Sequence, residues 1–227
     1  METDFPRRTA GEHTLPNGTK VWVQTLNSYH RTEAEREANF IAAMDLQRYR
    51  KGSPAYKMYA ANYTEMDDVS RIEFLVEHIL YSGTTITTAH TKHPTPTRPE
   101  RGVLTEVEYA DAVADWMREV EVAESARHKF VSAERAKYTD QYTTLSKREQ
   151  IDRCMNAFLA SQYANTYSTE FKFEVAYRCV RKINEHLELY YASVAAVKDL
   201  DDETIDGIVM FYNGLDTLAS TPGAIPT

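Results

Sequence analysis

Histidines and carboxylates are the residues of this chain that could do acid–base or metal chemistry, and their spacing decides whether they can cooperate. Glu77 precedes His78 and Glu185 precedes His186, so on a helix the two members of each pair point to different faces and cannot hold one ion together. Glu73 and Glu77 share a helix face, but carboxylates four residues apart are typical of a solvated surface. The Glu-x-x-His spacing of di-iron bundles does not occur, nor do the phosphate-loop, serine-nucleophile and zinc-protease motifs. We therefore expect no catalytic residues, no cofactor and no enzymatic activity.

Histidines and cysteines could also bind a metal ion. His90 and His93 lie three residues apart in a proline-rich stretch, and His78 is a third candidate well upstream. A structural or catalytic metal needs three or four fixed ligands, and this stretch offers two, so we expect no metal site. Cys154 and Cys179 fall within helical patterns and are interpreted as buried free thiols, with a disulfide or metal ligation as the alternatives.

Tyrosines suggest a contact surface instead of an active site. The chain has 15 of them, and a tyrosine offers a large contact area with one polar tip. Tyr190 and Tyr191, with Val194, lie between two helical patterns in a stretch more apolar than a solvated connector needs. Because an exposed apolar patch usually marks a protein contact, these three residues are our hypothesis for a partner-binding site. Burial of both tyrosines within the monomer is the alternative.

The clearest helical pattern occupies residues 146–218, and we expect the rest of the chain to pack around it. Ser146 and Glu149 have the spacing of a capping box, which predicts a helix start. The apolar residues that follow form a first stripe of helical period: Ile151, Cys154, Met155, Phe158, Leu159 and Tyr163. After a polar break at 165–168, a second stripe follows: Phe173, Ala176, Tyr177, Val180, Ile183 and Leu187. We predict an antiparallel helix pair, then a third helix from about Leu200.

The N-terminal half begins differently. Residues 1–12 are polar and predict a flexible arm. Asn17-Gly18 is a hairpin signal, and the alternation after it predicts a strand. Together with three helices this strand unit makes up a first region, residues 13–83. The three helices are expected to start at Asn27 or Ser28, at Ser53-Pro54 and near Asp67.

Residues 84–104 interrupt the helical pattern. They are rich in threonine and contain Pro94, Pro96 and Pro99, which predicts a mobile or extended loop. Thr105 and Glu108 then have capping-box spacing before a long charged helix, interpreted either as a solvated face or as a projection that meets a partner. We expect residues 105–219 to form a C-terminal helical region packed with the first, and residues 220–227 to be a tail.

Net charge and hydropathy argue against two kinds of partner, nucleic acids and membranes. The 34 acidic and 26 basic residues give a net charge of −8, which argues against a surface that follows nucleic-acid phosphates. No apolar run approaches the length of a membrane span, and no signal peptide is recognisable. We therefore expect neither a nucleic-acid nor a membrane partner.

The fold class predicted is mainly α, an orthogonal or antiparallel multi-helix bundle with a small N-terminal β-hairpin or strand.

Two stretches resemble the ends of tail assembly chaperones of long-tailed bacteriophages. The first is LPNGTKVWVQTLNSYHRTEAEREA, with matching positions from Val21 to Glu37. The second is FKFEVAYRCVRKINEHLELYYASVAAVKDLDDETIDGIVMFYNGL, which matches at Cys179-Val180, at Tyr190-Tyr191 and from Leu200 to Asp206. The family tends to begin with a short strand unit leading into a helix rich in Glu and Arg, and to close with a "CV" helix and a "LDDETID" helix. The 84–104 loop and the long charged helix are additions to that pattern.

The resemblance implies a non-enzymatic factor of phage tail morphogenesis. Members of the family bind the tape-measure protein and keep it soluble, so the expected partner is a tape-measure or other tail protein in the host cytoplasm. One alternative is a helical structural or adaptor protein retained in the virion. Another is a helical enzyme with an unrecognised carboxylate site. Self-association also stays open.

Overall fold

The computed structural model describes residues 9–220, with side chains through residue 217. The chain folds as two compact units. Unit 1 comprises Met1–Arg50 and Gln162–Thr227, as far as these are described, and unit 2 comprises Lys51–Ser161. This division differs from the regions 13–83 and 105–219 predicted from the sequence, because each predicted region contributes to both units.

The fold is mainly α, as predicted, with a small antiparallel sheet. In chain order the described elements are β1 (Ala10–Thr14), β2 (Lys20–Gln24), α1 (Ser28–Leu46), a 3-10 turn (Gln47–Tyr49), α2 (Pro54–Glu65), α3 (Asp68–Ser82), α4 (Thr85–Lys92), α5 (Glu106–Thr143), α6 (Lys147–Cys179), β3 (Val180–Lys182), β4 (Glu185–Leu189), α7 (Val194–Lys198) and α8 (Asp202–Ser220).

The N-terminal hairpin is confirmed. β1 and β2 pair antiparallel, and Gly18 in the turn has a φ of 81°, a left-handed conformation that glycine adopts without strain. The Asn17 side chain accepts a hydrogen bond from the Thr19 N–H at 2.9 Å and fixes the turn. The flexible arm predicted for residues 1–12 is wrong from Ala10 onward, where β1 begins, and residues 1–8 lie outside the described part of the chain.

A four-stranded sheet in the order β1-β2-β3-β4 forms one layer of unit 1. Val21 and Val23 on β2 are fully buried, and Val23 pairs with the equally buried Val180 of β3. α8 packs against β1 and β2, so its apolar stripe closes the core. Members of this core are Leu15, Val21, Val23, Val175, Ala176, Cys179, Val180, Tyr191, Val197, Ile205, Ile208 and Tyr212.

The predicted antiparallel helix pair is wrong, because α6 is one continuous helix from Lys147 to Cys179. The polar residues at 165–168 include neither glycine nor proline, so they do not stop a helix. Aromatic residues one turn apart carry the stripe through this stretch. Tyr163 stacks on Tyr167 at 6.4 Å between ring centroids, and Tyr167 stacks on Phe171 at 5.8 Å.

The second predicted stripe also extends too far. Val180 belongs to β3, and Leu187 belongs to β4 with 93% of its surface exposed. Val180 and its neighbours fit a helical period, but pairing with β2 competes with helix propagation at this point. A β-branched residue such as Val180 packs well on a pleated sheet, which favours the strand.

Capping residues set the helix starts of unit 2. The Ser53 hydroxyl accepts from the Tyr56 N–H at 3.1 Å, and the Asp67 carboxylate accepts from the Ser70 N–H at 2.8 Å. Both predicted capping boxes are confirmed. They begin α5 with Thr105 and Glu108, and α6 with Ser146 and Glu149.

The predicted loop at residues 84–104 is wrong in its first half, where α4 forms. The extended stretch after α4 is held by α5. Trp116 Nε1 donates to the Pro96 carbonyl at 2.9 Å, and Arg127 Nη1 donates to the His93 carbonyl at 2.8 Å. The Arg98 guanidinium lies 5.8 Å from the centroid of the Trp116 ring. Prolines lack an N–H, so this stretch is fixed through its carbonyls by side chains distant in sequence.

Candidate partner-binding surface

The three residues of the hypothetical partner-binding site have different environments. Tyr191 is 8% exposed and belongs to the core of unit 1, whereas Tyr190 is 37% exposed. Their rings meet edge to face, with centroids 5.0 Å apart. Val194 is half-buried at the start of α7, whose first turn is capped by Ser193. Of the three, Tyr190 offers the most side-chain surface to a partner.

Burial dominates the chemistry of Tyr191. Its hydroxyl oxygen is inaccessible and has no hydrogen-bond partner among the described residues. Burial raises the pKa of this phenol to about 12. A substitution here would therefore disturb the core, so a partner-binding test must use its neighbours.

Sequence reasoning missed Leu187, which lies three residues before Tyr190. β3 and β4 pair with a register shift: Arg181 is opposite Leu189, but Lys182 is opposite Glu185. Residues 186–188 therefore have no partner on β3 and form a bulge in the strand, which we call the β4 bulge. At its centre Leu187 exposes 93% of its surface.

Side chains on both flanks hold the β4 bulge in place. The His186 ring stacks on Trp22 of β2, with centroids 4.4 Å apart and planes 4° from parallel. Glu188 accepts a hydrogen bond from Lys182 Nζ at 2.6 Å, an ion pair that lowers the pKa of the carboxyl. The Leu187 carbonyl accepts from Arg181 Nη1 at 3.4 Å.

These contacts fix the polar neighbours of Leu187 and leave its own side chain in solvent. Leu187 and Tyr190, which we call the Leu187–Tyr190 patch, are thus two exposed apolar residues three positions apart on an anchored backbone. The pattern missed Leu187 because it assigned this residue to a buried helix stripe. The available signal was the alternation of Leu187 and Leu189 with the polar residues His186 and Glu188, which has the period of a strand.

No family model, no curated protein and no solved structure matches this chain. Its function has to be argued from its own residues.

A serine and a histidine of unit 2 come closest to a nucleophilic pair. Ser161 Oγ lies 3.4 Å from His78 Nδ1, and partial burial lowers the pKa of His78. The imidazole also stacks on Phe74. Within the described chain no carboxylate hydrogen-bonds this ring, so the third member that orients the base in a catalytic triad is missing. We therefore interpret the contact between Ser161 and His78 as side-chain packing.

Two carboxylates of unit 1, Glu33 of α1 and Glu174 of α6, share the guanidinium of Arg178. Arg178 Nη1 pairs with Glu33 at 2.9 Å, and Arg178 Nε pairs with Glu174 at 3.0 Å. Glu174 is 5% exposed, and burial raises the pKa of its carboxyl. The Tyr29 hydroxyl donates to Glu33 at 2.8 Å. The guanidinium occupies the position that a metal ion would need.

The described residues contain no group of three or more histidine, cysteine, aspartate or glutamate side chains arranged to hold a metal ion. None of the described helices combines the length and the apolarity needed to cross a bilayer.

Both cysteines are buried free thiols. Burial raises the pKa of Cys154 to about 11 and that of Cys179 to about 12, so neither is a reactive thiolate at neutral pH.

Proposed function

We propose that this chain is a non-enzymatic factor of phage tail morphogenesis, a tail assembly chaperone that binds an apolar segment of the tape-measure protein through the Leu187–Tyr190 patch. The observation that carries the proposal is the exposure of Leu187, 93%, on a bulge that its neighbours hold in place. An apolar side chain held in solvent lowers the free energy of the complex once a partner covers it, by about 25 cal/mol for each Å² buried.

The sequence supports the same role. The resemblance to tail assembly chaperones spans the stretch from Phe171 to Leu215, and the patch lies within it. A chaperone needs to cover an apolar segment without chemistry, and a fixed apolar pair at a sheet edge suits that task. Tyr191, which the sequence placed in the same site, lies in the core of unit 1 and contacts the Tyr190 ring edge to face.

Co-expression tests the proposal. The tape-measure gene of the same phage is expressed with the wild-type chain, with a Leu187→Ser/Tyr190→Ser variant and with a Met210→Ser control. Met210 lies on α8 in the same unit and is 75% exposed, so its substitution removes a comparable apolar surface elsewhere. We expect soluble tape-measure protein with wild type and control and a several-fold loss with the patch variant. Circular dichroism and thermal melting show that each variant is folded.

Two outcomes would contradict the proposal. Equal solubility of the tape-measure protein with all three chains removes the patch as the binding site. Insolubility with all three, including wild type, removes the chaperone role itself.

A further inference from the structure

A groove between α3 and α5 in unit 2 has no part in the proposed chaperone site. It has a volume of about 520 Å³. α3 lines it with Val69, Ile72 and Glu73, and α5 lines it with Arg135, Thr139 and Thr143. We call it the α3–α5 groove. Its size falls within the range of pockets that accept a drug-sized ligand or a few side chains of a partner.

The α3 wall of the groove carries its apolar side chains, and the α5 wall is formed by the polar residues Arg135, Thr139 and Thr143. Val69 is 74% exposed, and Ile72 and the fully buried Val76 continue the same stripe at i+3 and i+7. On the opposite wall the Thr139 hydroxyl donates to the Arg135 carbonyl at 2.9 Å, and the Thr143 hydroxyl donates to the Thr139 carbonyl at 2.7 Å. Because both hydroxyl protons are used within α5, this wall has no hydroxyl proton to offer an occupant.

One charge of the groove remains unmatched. Asp68 pairs with the buried Arg71, and Arg135 pairs with Glu77. Glu73 is exposed on the rim, and none of the described residues forms a hydrogen bond or ion pair with its carboxylate. An occupant would therefore complete the groove by bringing apolar surface for the α3 wall and a single cation for Glu73.

We infer that the α3–α5 groove binds an amphipathic helix of a protein partner, with apolar side chains against Val69 and Ile72 and a Lys or Arg opposite Glu73. The lining stretch of α3 runs from Asp68 to Val76, about 12 Å at 1.5 Å per residue. That length accepts two turns of a partner helix, whose apolar residues at i and i+4 are about 6 Å apart. Helix-in-groove binding of this kind uses an apolar seam for affinity and flanking charges for selectivity. The inference does not depend on the Leu187–Tyr190 patch or on a role in phage tails.

Two labelled peptides test the charge requirement. Both carry the same leucine stripe at helical spacing, and the positions that flank the stripe are all Lys in one peptide and all Glu in the other. Fluorescence anisotropy measures their binding to the full chain. We expect the Lys peptide to bind about tenfold more tightly than the Glu peptide, and Glu73→Lys to reverse this preference.

A matched charge control is necessary because the whole chain is acidic. Glu121→Lys makes the same change of net charge at an exposed position on α5 that does not line the groove. It should lower the affinity for the Lys peptide less than twofold and should not reverse the preference. Equal effects of Glu73→Lys and Glu121→Lys would mean that only the net charge of the chain matters, and would overturn the inference.

The apolar wall has its own test. Val69→Ser should weaken both peptides several-fold while thermal melting stays close to that of wild type, since Val69 is mostly exposed. Absence of peptide binding to the wild-type chain, or binding that Val69→Ser leaves unchanged, would overturn the inference. So would a dimer in sedimentation experiments that Val69→Ser dissociates, because the groove would then hold a second copy of the chain.

Discussion

Arg71 and Gln150 meet inside unit 2, where Arg71 Nε donates to Gln150 Oε1 at 3.2 Å and both side chains are buried. Arg71 Nη1 also donates to the carbonyl of Tyr63 at 3.2 Å and to that of Met66, at the C-terminal end of α2. Its Nη2 pairs with Asp68. The last carbonyls of a helix have no partner within the helix, so this arginine satisfies groups that burial would otherwise leave unpaired.

Gln150 contacts the C-terminal end of α5. Its Nε2 donates to the carbonyls of Tyr142 at 3.2 Å and Leu145 at 3.3 Å. The Arg71–Gln150 pair thereby joins the ends of two helices through one hydrogen bond. Buried polar groups of this kind stabilise a fold only when every member is satisfied.

Replacement of Arg71 should therefore destabilise unit 2 strongly. Arg71→Met keeps the stem but leaves Gln150 Oε1 and the carbonyl oxygens of α2 without their donor, and we expect a loss of about 3–5 kcal/mol in the free energy of unfolding. Urea denaturation followed by circular dichroism measures it. Arg71→Lys should recover only part of the loss, because an ammonium cannot reproduce the fork of a guanidinium.

Arg36→Met is the matched control. Arg36 is an exposed residue of α1 that pairs with Glu37 on the surface. Its replacement should leave the denaturation midpoint near that of wild type, since exposed ion pairs contribute little. Similar midpoints for Arg71→Met and Arg36→Met would refute the structural role assigned to Arg71.

The segment that follows α4 should resist proteolysis because α5 holds it. Arg127 is its main anchor, with hydrogen bonds to the His93 carbonyl at 2.8 Å and to the Thr95 hydroxyl at 3.1 Å. Arg127→Ala removes both, so we expect trypsin to cut at Lys92 several-fold faster in the variant than in wild type. Mass spectrometry of timed digests identifies the sites. Arg118→Ala, at an exposed arginine of α5 whose ion pair lies within the helix, is the control. Rapid cutting at Lys92 in wild type would show that the segment is not held.

Local motifs predicted the helix starts well, and a non-local contact accounts for the error at Val180. Thr105 with Glu108 and Ser146 with Glu149 form capping boxes from residues three apart, which a sequence displays directly. By contrast, Val180 fits a helical period, and only its pairing with Val23 of β2 makes it a strand residue. That pairing joins distant parts of the chain, which periodicity cannot reveal.

The candidate site shows the same limit. The apolar character of the stretch around Tyr190 and Tyr191 indicated either a contact surface or a buried core. In the structure Tyr190 is partly exposed and Tyr191 is buried in the core. Leu187 was missed because its exposure depends on the register shift between β3 and β4. A register shift is set by how two strands pair and leaves no mark in the spacing of apolar residues.

Glu174 should give unit 1 an unusual pH dependence. Burial raises the pKa of its carboxyl, with Glu37 and Glu170 nearby adding to the effect and Arg178 opposing it. A carboxyl group whose pKa is higher in the folded than in the unfolded state stabilises the fold when it is protonated. This contribution is fully present at pH values below the unfolded-state pKa, about 4.3. It is lost as the pH rises through the folded-state pKa. Wild type should therefore lose stability relative to Glu174→Gln as the pH rises from about 4 toward 7.

Urea denaturation of wild type and Glu174→Gln at several pH values measures this difference. Arg178 keeps its pair with Glu33 in the variant, so the substitution does not leave the guanidinium without a carboxylate. A relative gain in wild-type stability over the same pH range would mean that the attraction between Glu174 and Arg178 outweighs burial.

The two buried tyrosines of the unit 1 core should respond in opposite ways to loss of the hydroxyl. The Tyr191 hydroxyl is buried without a hydrogen-bond partner among the described residues, whereas burial raises the pKa of Tyr212 and hydrogen bonding by the Leu26 backbone partly offsets that rise. A buried polar group without a partner opposes folding, so Tyr191→Phe should stabilise the protein by up to about 1 kcal/mol. Tyr212→Phe removes a hydrogen bond and should cost about 1 kcal/mol. Both changes keep the ring, so packing is matched, and denaturation midpoints give the comparison. A loss of stability in Tyr191→Phe equal to that in Tyr212→Phe would show that the Tyr191 hydroxyl has a partner, and that this residue is held in the core by more than its ring.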